Sequence, residues 1–210
     1  AAYYADLKAT NEIYLTFDNG YEQGYTEKIL SILRKHDVPA TFFVTGHYVK
    51  SEPDLINRMV NEGHTIGNHS YHHKDFTKLT KEEMKKELAM LEEVVKNVSK
   101  QKKTLYVRPP EGTFNEQTLQ WAEELGYIHI FWSVAFKDWE SDVKRGWNYA
   151  YDNVMQQVHP GAIILLHTVS ADNAAALEKI IVDLKKQGYT FKSLDHLMAK
   201  QMLLEEQLHF

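Results

Sequence analysis

Apolar and polar positions along this chain fall into two alternating kinds of segment. Short runs dense in β-branched, aromatic and aliphatic residues read as strands, at 13–17, 40–45, 64–67, 105–107, 128–134, 162–166 and 189–191. Between them, apolar residues recur at spacings of three and four, the period of an amphipathic helix. The segment 25–36 places Ile29, Ile32, Leu33 and His36 on one face, and 55–61 runs out at Gly63, a C-terminal cap. The clearest helix starts at Thr80. Thr80 with Glu83 forms a capping box, and Met84, Leu88, Leu91, Val95 and Val98 follow in helical phase. Segments 115–125 and 173–186 stop at Gly126 and Gly188. Seven strands alternating with helices predict an α/β protein, its parallel sheet closed into a distorted parallel (β/α) barrel. Residues 1–210 read as one domain, with a core over 12–197 and a helix-compatible tail over 198–210.

Composition narrows the partners. A net charge of −5 argues against nucleic acid, which wants a basic stripe. No apolar run is long enough for a transmembrane segment, and no secretory signal is visible. The first residues, Ala-Ala-Tyr-Tyr, lack a Met, so an upstream segment is expected to have been removed or left out. With no Cys, disulfides and thiolate metal sites are excluded, and any metal must use His, carboxylate or amide ligands.

A parallel β/α barrel carries its chemistry at the C-terminal ends of its strands. Asp18 follows the first expected strand, His69 the third, Arg108 the fourth, Asp138 the fifth and His167 the sixth, so five polar groups should converge on one mouth. His69 and His73 stand four apart, a spacing that can aim two imidazoles at one ion. The same spacing also suits hydrogen-bonded loop histidines, and the pair alone does not choose. His72 has the wrong phase to join them, and His47, after the second strand, reads as structural. Trp132, Phe136, Trp139, Trp147, Tyr149 and Tyr151 form an aromatic-rich stretch that could stack on sugar rings or fill a core.

Five stretches, taken in order, carry a resemblance. They are Thr16-Phe17-Asp18-Asn19-Gly20, His69-Ser70-Tyr71-His72-His73, Arg108-Pro109-Pro110-Glu111-Gly112, Asp138-Trp139 and Leu165-Leu166-His167. Over residues 12–197 the chain resembles the polysaccharide deacetylases of the NodB-homology type, carbohydrate esterase family 4. It is most similar to the branch that deacetylates muramic acid in peptidoglycan on the way to the muramic δ-lactam of the spore cortex. The resemblance implies a hydrolase of N-acetyl amides in peptidoglycan glycan strands, acting outside the cytoplasm, with a monomer expected. It implies one divalent metal ion, zinc first and manganese or cobalt as alternatives, held by His69, His73 and Asn19. It makes Asp18 the general base, Arg108 the group that orients it, His167 the general acid and Asp138 the partner of that acid. Leu165 and Trp139 would wall a slot for the acetyl methyl. Pro110 stiffens the loop, and the backbone N–H of Glu111 would help hold the oxyanion.

The chain departs from the family pattern at three places. Asn19 replaces a carboxylate ligand, which removes the only formal anion from the expected metal site and should weaken it. Glu111 replaces an aromatic residue, and Ala135 an acidic one. An acidic Glu111 suits a muramic lactyl carboxylate poorly. Two alternatives therefore accompany the muramic reading: an N-acetylglucosamine deacetylase of peptidoglycan or chitin-like oligomers, and a non-catalytic glycan-binding relative.

Overall fold

The protein is described by a computed structural model over residues 1–8 and 11–208. In chain order the elements are β1 (Ala2–Tyr3), β2 (Glu12–Asn19), α1 (Thr26–Lys35), β3 (Ala40–Val44), α2 (Gly46–Ser51), α3 (Pro53–Asn61), β4 (Thr65–Asn68), α4 (Lys81–Val98), β5 (Tyr106–Val107), α5 (Glu116–Glu124), β6 (Ile128–Ile130), α6 (Trp147–Gln157), β7 (Ile163–His167), α7 (Ala171–Lys186), β8 (Thr190–Phe191) and α8 (Leu194–Leu208). The sheet runs β1-β6-β5-β4-β3-β2-β7, with β8 paired to the start of β2 and every pairing between these strands parallel. Its two ends are tied. The Asp6 N–H donates to the Gly161 carbonyl at 2.8 Å, Ser133 N–H to Ile163 at 3.0 Å and Leu165 N–H to Val134 at 2.9 Å. The result is the distorted parallel barrel expected from the alternation of strands and helices.

Alternation along β2 decides what faces the inside. Ile13, Leu15 and Phe17 pack outward among α1, α3 and α7, whereas Tyr14 joins Phe43, Tyr106, Ile130 and Ile163 inside the barrel. Thr16 shares the phase of Tyr14 and its hydroxyl donates to the Ile164 carbonyl at 2.7 Å. Asp18 has the same phase and comes at the C-terminal rim. Asn19 has the opposite one.

Several expected boundaries moved. The strand expected over 128–134 ends at Ile130, because the Arg108 guanidinium takes the carbonyls of Ile130 and Phe131 at 3.0 and 2.9 Å and interrupts the ladder. Asp138 therefore lies on a loop, eight residues past β6, rather than directly after a strand. The aromatic stretch holds helix α6, whose N-cap is Gly146 with no side-chain cap, so it carried no start signal. The tail helix begins at Leu194 rather than 198, and residues 209–210 of the expected tail lie outside the described residues. Leu194 and Leu197 enter the inner barrel cluster, and Lys200 bonds Asp6 at 2.7 Å and Glu12 at 3.0 Å. The tail thus closes the end of the barrel opposite the site. Among the described residues no helix is long and apolar enough to cross a membrane.

Burial pushes the Asp6 carboxyl up, but Lys200, the Lys8 N–H and the Tyr14 hydroxyl outweigh it and hold the group below its ordinary range. Lys200→Met should strand that carboxylate and cost about 1–3 kcal/mol of stability. The sign follows from the lowered value: the deficit against the parent is full at neutral pH and fades as pH falls through the folded value of Asp6. Thermal melts of both proteins across pH check this; equal melting temperatures at pH 7 would show that the tail is not anchored by this ion pair.

Candidate active site

Asp18 and Arg108 form the buried centre of the mouth. Arg108 is fully buried, and its three donor groups reach Ile130, Phe131 and, at 3.0 Å through Nη1, Oδ1 of Asp18. Its guanidinium also lies 4.2 Å from the centre of the Phe43 ring. Oδ1 of Asp18 is therefore held. Oδ2 faces two imidazoles, His69 Nε2 at 3.6 Å and His167 Nε2 at 3.8 Å. Burial raises the Asp18 carboxyl, but His69, Arg108 and His167 more than offset it and leave it below the ordinary range. Arg108 is the permanent charge among the three, because burial pushes His69 down to about 4.

His69 follows β4. Its Nδ1 lies 2.7 Å from the Arg108 carbonyl, which can only accept, so Nδ1 carries the proton and Nε2 keeps a lone pair. The His73 ring stands 4.9 Å away, nearly perpendicular. The loop joining them is bent by left-handed residues at both Ser70 (φ 70°) and His73 (φ 54°), conformations that need outside support. Buried Glu87 from α4 supplies it. Its carboxylate accepts from Ser70 Oγ at 2.8 Å, from the His72 N–H at 2.7 Å and from His72 Nδ1 at 2.6 Å. His72 thus faces Glu87 and not the other two histidines.

His167 ends β7 and is held from behind. Its Nδ1 lies 2.7 Å from Asp138 Oδ1, and its backbone N–H donates to Oδ2 at 2.9 Å. Asn173, in the first turn of α7, donates to the same Oδ2 at 2.7 Å and to the His167 carbonyl at 3.0 Å. Burial pulls the His167 imidazole down, but the bond and charge of Asp138, with Asp18 beyond, outweigh it and raise it above its ordinary value. A carboxylate whose ionised form is favoured and an imidazole whose protonated form is favoured therefore face each other.

Both open onto a cleft of about 730 Å³. His69, His73, Glu111 and Gly112 line it together with Leu165, Trp139 and Lys137. Gly112 (φ 69°) leaves its backbone against the Trp132 ring, which would lie 2.6 Å from any Cβ there. Glu111 is exposed and also left-handed, at φ 58°. Leu165 is buried, whereas Trp139 is half exposed, its ring 6.1 Å from that of His167. Arg108 and Asp138 do not line the cleft and act through the groups that do. Pro110 is buried within its turn and Asn19 lies on the outer face of β2; neither is part of the cleft wall. His47 packs against Tyr21 instead.

Asn19 is fully buried, and among the described residues neither its amide oxygen nor its nitrogen has a hydrogen-bond partner. Among the described residues no cluster of three or more His, Asp or Glu could hold a metal. The donors present are two imidazoles, one with a fixed free lone pair, and an unspent amide one residue from Asp18. The two imidazoles line the cleft and fit a divalent ion as neutral ligands, whereas the Asn19 amide faces away from the cleft and does not join them.

Asn173 and Glu87 were not singled out by the sequence, and Lys137 was given no role of its own. Asn173 looked like the first residue of an ordinary helix, and Glu87 like one polar residue of an amphipathic one.

A family model described as polysaccharide deacetylase matches residues 7–130. The peptidoglycan-N-acetylmuramic acid deacetylase PdaA of Bacillus subtilis is 55% identical over 97% of this chain and 78% of its own. The solved structure of Bacillus subtilis PdaA, a family 4 carbohydrate esterase, superposes with a TM-score of 0.91 at 54% identity, covering 95% of this chain and 86% of that one. A family 4 pseudoenzyme from Bacillus anthracis shares the fold at a TM-score of 0.86 and 30% identity, covering 94% of this chain and 68% of its own.

Proposed function

The chain belongs to the polysaccharide deacetylase family, within carbohydrate esterase family 4, and from that premise we propose that it hydrolyses the N-acetyl group of peptidoglycan amino sugars, N-acetylmuramic acid first among them. The observation that carries the reading is the opposed pair on one cleft, Asp18 shifted toward its ionised form and His167 toward its protonated form, 3.8 Å apart. Binding a glycan needs no such pair; moving a proton in and then out again does.

The cycle follows from their positions. Oδ2 of Asp18 takes a proton from water as its oxygen bonds to the acetyl carbon, while Arg108 keeps Oδ1 occupied and so leaves Oδ2 to act. The C–N bond then breaks, and Nε2 of His167 gives its proton to the departing amine. Acetate and a free amino sugar result. Asp138 and Asn173 hold the imidazole in place throughout, and Leu165 and Trp139 bound the space for the acetyl methyl. His69 through Nε2 and His73 are the cleft groups that would hold a divalent ion, zinc ahead of manganese or cobalt, which when bound would polarise the acetyl carbonyl and acidify water; the buried Asn19 amide would join them only by turning inward. The substrate lies in the cell wall, so the enzyme works outside the cytoplasm.

Mass spectrometry of defined peptidoglycan oligomers, with and without stem peptide, tests the reading. Loss of an acetyl group from muramic acid is the expected result. Loss from N-acetylglucosamine alone would move the chain to the other branch, and no loss would leave a glycan-binding relative.

Calorimetric titration of metal-stripped protein tests the ligand set. His69→Ala and His73→Ala should weaken divalent-ion binding by more than the ~10–100-fold typical of losing an outer partner. Asn19→Asp should tighten it by adding the missing charge. Equal affinity in the parent and all three variants would remove these residues from the metal site.

A further inference from the structure

Lys137 is the one Lys or Arg among the described residues that line the cleft, and the reaction leaves it unused. Its backbone is fixed on both sides. The next residue is Asp138, bonded to His167 and Asn173, and the Lys137 carbonyl accepts from the Tyr149 hydroxyl at 3.0 Å. The ammonium is freer, at the end of a side chain 54% exposed. Nζ lies 3.0 Å from Oε1 of Glu140, and Nη2 of Arg145 reaches that same oxygen at 3.0 Å. The Arg145 guanidinium is itself seated 5.1 Å from the centre of the Tyr149 ring. One carboxylate thus serves two cations, and Lys137 can leave Glu140 without stranding it.

We propose that Lys137 is the subsite for the carboxylate of the 3-O-lactyl group of the sugar being deacetylated, and that it sets a preference for muramoyl residues whose lactyl group is free. This rests on the deacetylase reading above. The acetamide and the lactyl ether sit on adjacent carbons of the sugar, C2 and C3. A sugar with its amide nitrogen at His167 therefore brings its lactyl group within a few bonds of the same lip. Asp138 binds His167, and Lys137 is the residue next to it. Glu111, also on the cleft, repels a carboxylate that comes near it. Charge around the cleft thus favours placing the lactyl group beside Lys137.

The test uses a muramoyl tetrasaccharide with free lactyl carboxylates and the same oligomer with each converted to its methylamide. Affinities are measured by calorimetry in the Asp18→Asn background, where the glycan is not consumed, with Lys137 intact, as Lys137→Met and as Lys137→Arg. The carboxylate form should bind about fivefold tighter than the amide when Lys137 is intact, the scale of a half-exposed ion pair. Lys137→Met should erase that preference, Lys137→Arg should keep it, and salt should shrink it. In active protein the same loss should appear in KM, with kcat little changed. No preference with Lys137 intact, or one that survives Lys137→Met, overturns the proposal. So does an equal loss on both glycans with a fall in kcat, which would make Lys137 a support for Asp138. A preference that depends on Lys137 in a protein that releases no acetate would uphold the subsite and sink the deacetylase reading instead.

Discussion

Asp18→Asn should lower turnover by about 10²–10⁴-fold, the range of a lost general base, while glycan binding stays close to the parent's. The loss comes from more than the missing charge. Arg108 Nη1 is a donor fixed 3.0 Å from Oδ1, so an amide at this position must turn its oxygen toward Arg108. Its NH2 group then occupies the place of Oδ2, toward His69 Nε2 at 3.6 Å, whose lone pair is free to accept from it. A donor thus stands where the proton acceptor was, and it also occupies the nitrogen suited to a metal. His167 loses one of the charges that raise it. The fold should survive, because Arg108 keeps all of its hydrogen bonds, though with a weaker partner. Single-turnover acetate release and calorimetry on the same glycan give the two numbers. Activity within about tenfold of the parent, below the least expected of a base, would place the proton acceptor elsewhere.

What could be read from the chain beforehand depended on how local the signal was. The barrel and its rim were legible because strands and helices alternate and because the chemistry of such barrels gathers at strand ends. Asp18, His69, Arg108 and His167 do meet there. The side each residue faces was not legible from the motif alone: the two-residue alternation that turns Asp18 inward turns its neighbour Asn19 away from the cleft. Partnerships across the fold left no trace in any window of sequence. Glu87 holds a loop 15–17 residues earlier in the chain, and Asn173 reaches Asp138 across 35 residues. Strand β1 is only two residues long and exists through its pairing with β6, and α6 begins without a side-chain cap. Lys137 stands beside the motif aspartate, and nothing in the sequence alone gave it a role of its own.

Asp138→Asn is expected to disable the acid while leaving its position filled. Two donors, the His167 N–H at 2.9 Å and Asn173 Nδ2 at 2.7 Å, converge on Oδ2 of Asp138, so the oxygen of an asparagine must face them. Its NH2 group then points at His167 Nδ1, which has to accept rather than donate. The imidazole is forced into the neutral tautomer with its proton on Nε2, and burial, now opposed only by Asp18, resists a second proton. Turnover of N-acetyl glycan should fall by about 10²–10⁴-fold, and the alkaline limb of the pH profile should move to lower pH. The sign is set by the parent: His167 is raised, so the parent keeps its acid protonated to higher pH than an ordinary histidine, and the variant loses it sooner. An activated ester such as 4-nitrophenyl acetate separates this from simple disorder of the site, because its leaving group departs without a proton. Asp138→Asn should spare that reaction while crippling amide hydrolysis. Equal losses on both substrates, with no movement of the alkaline limb, would mean that Asp138 only shapes the cleft and that the proton for the amine comes from elsewhere.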